Sequence, residues 1–381
     1  MLQNSSALSI SLSLSEGLGV GASPQGRKVA ARCKPQRIAV FRALQLGDLL
    51  CVVPALRALR TACPTSEITI IGLPWARAFV ERFPHYLDRF IEFPGFPGLP
   101  EQPWNALRLL RFLAVVRSKK IDLVLQMHGC GPIVNPLTAW FGGRQTAGFF
   151  LPETQRPPSE GFMPFPAHEP EIRQHIRLME FLGFPARGDA LEFPLFDRDR
   201  EEFRALCRRT GLQPGNYVCI HPGAQLASRR WPVQRFAAVA DALAAWNLQI
   251  VLTGIESEKP LTGAVARHMH APAIDLAGRT SLGGVAAVIA NARLLIANDT
   301  GVSHLAAALK TPSVIIASGS DPGRWAPLNR NLHRVLYHQV SCRPCSFHEC
   351  PVGHPCAWGV SVEAVQQAVT RLTALNAARA S

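Results

Sequence analysis

From Arg37 onward, short apolar runs rich in β-branched residues alternate with longer amphipathic stretches, the pattern of parallel α/β units. RIAVFRA (37–43) reads as a strand, GDLLCVVPALRALRTAC (47–63) as a loop and helix, and EITIIG (67–72) as the next strand. A further strand, DRFIEF (88–93), precedes PGFPGLPEQP (94–103), whose prolines and glycines preclude regular structure. A basic helix from Trp104 to Lys120, the strand IDLVLQM (121–127) and a short Gly/Pro-bounded helix complete this half.

Residues 151–168 are Pro-rich and are followed by a helix from Glu169 to Phe181 and a connecting region near 184–215. The pattern then restarts. YVCIHPG (217–223), QIVLTG (249–254), RLLIAND (293–299) and SVIIAS (313–318) read as strands, with helices over Pro232–Trp246 and Gly301–Leu309. The expected architecture is α/β, with two Rossmann-like domains facing a central cleft. They span residues 36–190 and 191–360, the second carrying a Cys-rich loop over 341–358, and residues 361–381 form a terminal helix. In open parallel sheets ligands sit beyond the carboxyl ends of the strands, so the loops that follow strands are where chemistry is sought.

The chain has 381 residues, 48% of them hydrophobic, enough to bury the cores of two domains and too large for a small stapled scaffold. Its net charge of +13 favours anionic partners such as nucleic acid, acidic lipid headgroups or nucleotide phosphates, without choosing among them. No run approaches the ~18 apolar residues of a membrane span. Even the segment Val285–Ala297 is interrupted by Asn291 and Arg293, so the expectation is a soluble or peripheral protein. The Ser/Gly-rich start lacks the basic and continuous apolar parts of a secretory signal, and residues 1–35 read as a disordered tail. Six of the ten cysteines (33, 51, 63, 130, 207, 219) are scattered, which fits a reducing cytoplasm better than a secreted disulfide framework.

Four junctions after strands carry candidate chemistry. Asp48, between the first strand and an apolar helix, reads either as a helix cap or as a general base facing the cleft. In HPGAQLASRRWP (221–232), Arg229 and Arg230 offer forked donors to a diphosphate, or are solvated charge beside a core Trp231. In NDTGVSHLAAAL (298–309), Asp299, Thr300 and Gly301 open a helix whose amides can receive a phosphate, with His304 on the first turn; the alternative is a well-capped core helix. In LTGIESEKP (252–260), Glu256 and Glu258 offer a carboxylate to a ribose, or are helix-start acids.

A fifth feature, CRPCSFHECPVGHPC, spaces Cys342, Cys345, Cys350 and Cys356 as C-x2-C-x4-C-x5-C, with His348 and His354 nearby. It reads as a structural zinc or iron site, or as a reduced Pro-braced loop. GLGVGA (17–22) follows no strand, no Walker A motif occurs, and Asp197-Arg198-Asp199 is explained by its place at a helix start.

The ordered set RIAVFRALQLGDLLCVVPALRALRTACP, HPGAQLASRRWPVQRFAAVADAL, LTGIESEK, NDTGVSHLAAAL and CRPCSFHECPVGHPC resembles glycosyltransferase family 9, the ADP-heptose:lipopolysaccharide heptosyltransferases, from Arg37 to the terminal helix. The resemblance implies a GT-B fold with an N-terminal acceptor domain, a C-terminal nucleotide-sugar domain and a last helix crossing back to the first. It also implies a catalytic aspartate at Asp48, and a nucleotide-sugar site at Asp299, Thr300, Gly301 and His304, with Glu258 on the ribose. Many members carry lysine where this chain has Arg229. The activity implied is inverting heptosyl transfer from ADP-heptose to the inner core of lipopolysaccharide. It needs no catalytic cofactor and no nucleic-acid partner, and it takes place in the cytoplasm or at the inner face of the inner membrane. There WNALRLLRFLAVVRSKK (104–120) mixes apolar and basic residues that could meet an anionic surface, though its stripe is imperfect and an ordinary domain helix is the preferred reading. The alternatives are a family member with another acceptor, including a protein autotransporter, one with another nucleotide-sugar donor, and a non-catalytic nucleotide-binding protein.

Overall fold

The computed structural model describes residues 35–380, with side chains through residue 373. The expected N-terminal tail, apart from Pro35, lies outside the described residues. The first domain is a six-stranded parallel sheet of β1 (Arg37–Phe41), β2 (Glu67–Gly72), β3 (Arg89–Glu92), β4 (Leu123–Gln126), β5 (Gln145–Phe150) and β6 (Phe162–Pro164), in the order β3-β2-β1-β4-β5-β6. The second repeats that winding with β7 (Tyr217–His221), β8 (Gln249–Leu252), β9 (Ala273–Asp275), β10 (Leu294–Asn298), β11 (Ser313–Ile316) and β12 (His333–Leu336), in the order β12-β11-β10-β7-β8-β9. The winding therefore reverses between β1 and β4 and again between β7 and β10. A crevice opens at the carboxyl ends of each of those pairs.

The first domain carries α1 (Leu46–Ala62), α2 (Ala76–Val80), α3 (Ala106–Ser118), α4 (Val134–Ala139) and α5 (Glu171–Phe181). The second carries α6 (Asp197–Thr210), α7 (Val233–Ala244), α8 (Lys259–His268), α9 (Leu282–Ala290), α10 (Gly301–Leu309), α11 (Pro322–Trp325), α12 (Pro355–Trp358) and α13 (Val362–Ala380). Helices cover both faces of each sheet, so central strands such as β10 are buried throughout and read as unbroken apolar runs.

The structure departs from the expected elements in identifiable ways. The connector near 184–215 contains a helix, α6, opened by Asp197 and Asp199 and closed by Gly211 at φ 69°. Asp199 gives both carboxylate oxygens to Arg82, at 2.5 and 3.0 Å. The strands β5, β6, β9 and β12 were not anticipated. β6, β9 and β12 lie at sheet edges, where three or four residues suffice and Pro164 is tolerated.

One apolar cluster joins the two domains at the floor of the cleft. Leu49, Val52, Val53 and Leu56 of α1 pack in it with Leu305 and Ala306 of α10 and with Phe203 and Leu206 of α6. The last helix buries Val365, Ala368, Val369 and Leu372 in the second domain's own core, beside Trp231 and Phe236.

Candidate active site

At the carboxyl end of β1 the chain buries a guanidinium. Arg42 is fully enclosed and spends its donors on several partners: Nε on the Asp48 carbonyl (2.8 Å), Nη1 on the Met127 carbonyl and on His175 Nε2 (2.9 Å), and Nη2 on Glu171 Oε1 (2.8 Å). The same Nη2 lies 3.4 Å from Asp48 Oδ1. The helix cap is Gln45, with Asp48 in the first turn beyond it. The Asp48 side chain keeps 21% of its surface exposed. Burial pushes its pKa up; Arg42 pulls it back, Glu171 raises it further, and His304 offsets part of that. Burial also works against the charge of Glu171, but His175, Arg42 and Arg324 outweigh it and hold that carboxyl well below the usual range. His175, desolvated and facing Arg42, is held down to about 4 and is neutral.

The second domain presents its own carboxyl-end loops to the same space. Asn298, the last residue of β10, accepts from the Trp231 amide (2.9 Å) and donates to the Pro222 carbonyl (2.8 Å), stitching the loop after β7 to the start of α10. Asp299 and Thr300 follow, and Asp299 Oδ2 and Thr300 Oγ1 are buried without a protein partner. Ser318 Oγ, Ser320 Oγ and Arg229 Nε share that condition on the adjoining loops. Unpaired buried polar atoms in such number are costly in a finished core and fit a rim that receives a polar ligand. Arg230 anchors Nε on the Ala224 carbonyl (2.9 Å). Trp231 is core, as one of the two readings of that segment had it.

Glu258 reaches over the loop after β7. Its Oε2 accepts from the Ile255 amide (2.9 Å) and lies 3.8 Å from His221 Nε2, and a Cβ on Gly223 would overlap its carboxylate. Gly223 thus makes room for the acid, whereas Glu256 is exposed and paired with Lys259 at 2.6 Å.

His304 does not sit among the expected anion ligands alone. It is buried at the domain contact, with Nδ1 3.6 Å from Cys51 Sγ and its ring edge-on to Trp325. Burial lowers its pKa, against the pull of Asp299 and Asp48. The starts of α1 and α10 meet here: a Cβ on Gly47 would come within 3.2 Å of Gly301 Cα. Two helix N-termini, one from each domain, therefore direct their positive ends into one crevice.

The cysteine-rich segment braces the loop that follows β7. Ser228 donates its amide to the His348 carbonyl (3.0 Å) and its hydroxyl to the Phe347 carbonyl (2.6 Å), and its own carbonyl lies 2.7 Å from His354 Nε2. Arg229 Nη2 donates to the Cys345 carbonyl at 3.0 Å. Arg343 donates to the carbonyls of Ser320, Ala317, Ser318 and His338. Among the described residues no group of three or more His, Cys, Asp or Glu side chains is placed to hold a metal ion. Cys345 packs on Gly319 and Cys356 is buried, while Cys342 is exposed.

The family model for glycosyltransferase family 9 (heptosyltransferase) matches residues 167–355. The chain is 34% identical over 299 residues to lipopolysaccharide heptosyltransferase 3 of Escherichia coli K12, covering 75% of this chain and 83% of that relative. The chain belongs to glycosyltransferase family 9. With another lipopolysaccharide heptosyltransferase 3 of Escherichia coli the match is 32% over 120 residues, 31% of this chain and 35% of that relative. Among solved structures, this family 9 chain superposes on a glycosyl transferase family 9 protein of Veillonella parvula with a TM-score of 0.72 at 22% identity, covering 88% and 97% of the two chains. It superposes on the ADP-heptose lps heptosyltransferase II of Escherichia coli with a TM-score of 0.67 at 19% identity, covering 89% and 99%. The iron-containing dodecameric glycosyltransferase TibC of enterotoxigenic Escherichia coli matches at 0.55 and 14%, covering 89% and 76%. These likenesses establish the GT-B fold for the family 9 enzyme.

The sequence reading of the site missed Arg42, Glu171, His175, Arg324, Asn298 and Gly223. Arg42 had a signal in an arginine closing an otherwise apolar strand, and Asn298 likewise ends a buried strand at the switch point. Glu171 and Arg324 had none, because their partners lie more than a hundred positions away.

Proposed function

We propose that this glycosyltransferase moves heptose from ADP-heptose to a hydroxyl of the lipopolysaccharide inner core, inverting the anomeric carbon. One observation carries the reading: Asp48, a partly exposed carboxylate on the first turn of α1, stands beside the start of α10 on the second domain, with Gly47 and Gly301 in contact. Burial raises the basicity of Asp48, which suits it to remove the acceptor proton. The acceptor oxygen then forms its bond to the anomeric carbon as the bond to the diphosphate breaks on the opposite face, and ADP carries away the electron pair. The α10 amides, Arg229 and Arg230 stabilise that charge, and Glu258 takes the ribose hydroxyls. The names of the similar enzymes, lipopolysaccharide heptosyltransferase 3 and ADP-heptose lps heptosyltransferase II, support this donor and acceptor class.

Delivery of a lipid-linked acceptor would suit a chain that rests on an anionic membrane. Helix α3 leaves Leu107 and Leu110 65% and 63% exposed, beside Trp104, and carries Arg108, Arg111 and Arg117 with Lys119 and Lys120 following. No helix among the described residues is long and apolar enough to cross a membrane.

A mass-spectrometric screen of nucleotide-sugar donors against core-oligosaccharide acceptors tests the reading. ADP-heptose and a heptose-deficient core should give product, and Asp48→Asn should bind ADP-heptose while losing about 10²–10⁴ in turnover. Full turnover by Asp48→Asn removes that residue from the role, and transfer only from another donor overturns the substrate assignment.

A further inference from the structure

Glu171 is the first residue of α5, and its carboxylate is almost wholly enclosed, 3% exposed. Each of its oxygens has a guanidinium of its own. Oε1 accepts from Arg42 Nη2 at 2.8 Å, within the first domain, and Oε2 accepts from Arg324 Nε at 2.8 Å, from the second. Arg324 reaches it from the short turn α11, with its guanidinium 5.5 Å from the ring of Phe165 on the first domain and 4.8 Å from that of Trp325 on its own. The mechanism above uses none of these groups directly, yet the Arg42 that Glu171 holds lies 3.4 Å from the Asp48 carboxylate.

We propose that Glu171 is a positioning residue for transfer. Bridged between Arg42 and Arg324, it makes the seating of Arg42 beside Asp48 depend on closure of the two domains. The proposal rests on the reading of Asp48 as the base. When the second domain draws back, Arg324 leaves with it, and Glu171 must satisfy both oxygens from Arg42. The guanidinium is then drawn toward Glu171 and away from Asp48. Closure returns Arg324 to Oε2 and lets Arg42 be shared between the two carboxylates. Charge-assisted contacts of this kind are geometrically demanding, so the base is set in place only where donor and acceptor are held together.

The charged and titratable groups around Asp48 are Arg42 on its own loop, Cys51 on α1, Glu171 and His175 on α5, His304 and Asp299 at α10, and Arg324 behind Glu171. Removing the charge of Glu171 takes away a group that raises Asp48 and leaves Arg42 free to lower it. A weaker base follows.

The test uses the full chain with Glu171→Gln, Arg324→Met and Arg324→Lys. Glu171→Gln and Arg324→Met are expected to lower kcat about tenfold or more with donor KM held within about twofold, and Arg324→Lys should recover much of the loss. The acid limb of the kcat profile should move to lower pH in Glu171→Gln. Backbone hydrogen exchange, which needs no substrate, should quicken at the first turns of α1 and α10 in Glu171→Gln and Arg324→Met. An unmoved acid limb together with unchanged exchange in both variants overturns the proposal. Turnover surviving in Asp48→Asn would instead sink the base assignment, and the exchange measurement would still decide whether Glu171 and Arg324 hold the domains closed.

Discussion

Gly47 and Gly301 touch across the cleft, and a Cβ on Gly47 would lie 3.2 Å from Gly301 Cα and 2.8 Å from His304 Cδ2. The constraint is one of space, since Gly47 sits within the regular first turn of α1. Gly47→Ala must push His304 or the α10 backbone aside. The expected result is a loss of about 1–3 kcal/mol in stability and about tenfold or more in turnover, followed by chemical unfolding and a transfer assay. Unchanged values would mean that His304 swings clear at no cost and the helix contact is dispensable.

Asp48 has a pKa raised by burial in the folded state, so the folded protein holds that proton more tightly than the unfolded chain does. Stability from this group is therefore fully present below its unfolded pKa and lost as pH rises through the folded value. Above that value an ionised Asp48 is a burden, on the order of 1.4 kcal/mol for each pH unit of displacement. Asp48→Asn should accordingly be more stable than wild type at neutral pH, with the difference closing in acid. Thermal unfolding of the two proteins across pH checks it, and a variant less stable at pH 7 contradicts the assignment of burial as the leading cause.

Strands such as LLIAN (294–298) are buried throughout, so composition alone marks them, and the carboxyl-end loops holding Asp48, Asp299 and Glu258 follow from the strands' positions. The edge strand Phe162–Pro164 carries no such mark, because one flank of an edge has no pairing to satisfy. The bridge Arg42–Glu171–Arg324 is of another kind. Its members are ordinary basic and acidic residues until folding brings positions 42, 171 and 324 together. The cysteine spacing left a metal site and a Pro-braced loop both open, and the contacts of that segment's backbone with Ser228 and Arg229 became visible only on folding.

Gly223 and Glu258 form a matched pair in which the absent side chain of one admits the carboxylate of the other. If that carboxylate takes the ribose, Glu258→Gln should raise donor KM about tenfold. It should also erase most of the preference for ADP over its 2′-deoxy counterpart, read as inhibition by the two nucleotides. Retained discrimination would place the ribose elsewhere.

Arg343 satisfies four carbonyls on two loops, those of Ala317, Ser318, Ser320 and His338. Arg343→Ala strips donors from the partly buried carbonyls of Ala317, Ser318 and Ser320, each worth about 1–3 kcal/mol when left unpaired, and from the exposed carbonyl of His338. The 317–320 loop and the cysteine-rich segment should loosen together, lowering the unfolding temperature and weakening ADP binding measured by calorimetry. Wild-type ADP affinity in a destabilised variant would confine Arg343 to a purely structural part.

The exposed face of α3 offers the last check. Leu107 and Leu110 project where Leu109, Phe112, Leu113 and Val116 already fill the core side of the helix, so their exposure is not forced by packing. Near an anionic leaflet each neighbouring Lys or Arg contributes about 1 kcal/mol, screened over a Debye length of about 8 Å at physiological salt. The chain should therefore bind vesicles containing anionic lipid and release as salt rises, while neutral vesicles capture little. A Leu107→Glu, Leu110→Glu double variant should lose most of that binding yet keep its turnover on a soluble core oligosaccharide, because neither side chain belongs to the cleft. Vesicle binding indifferent to salt, lipid charge and both substitutions would rule out this face as the membrane contact.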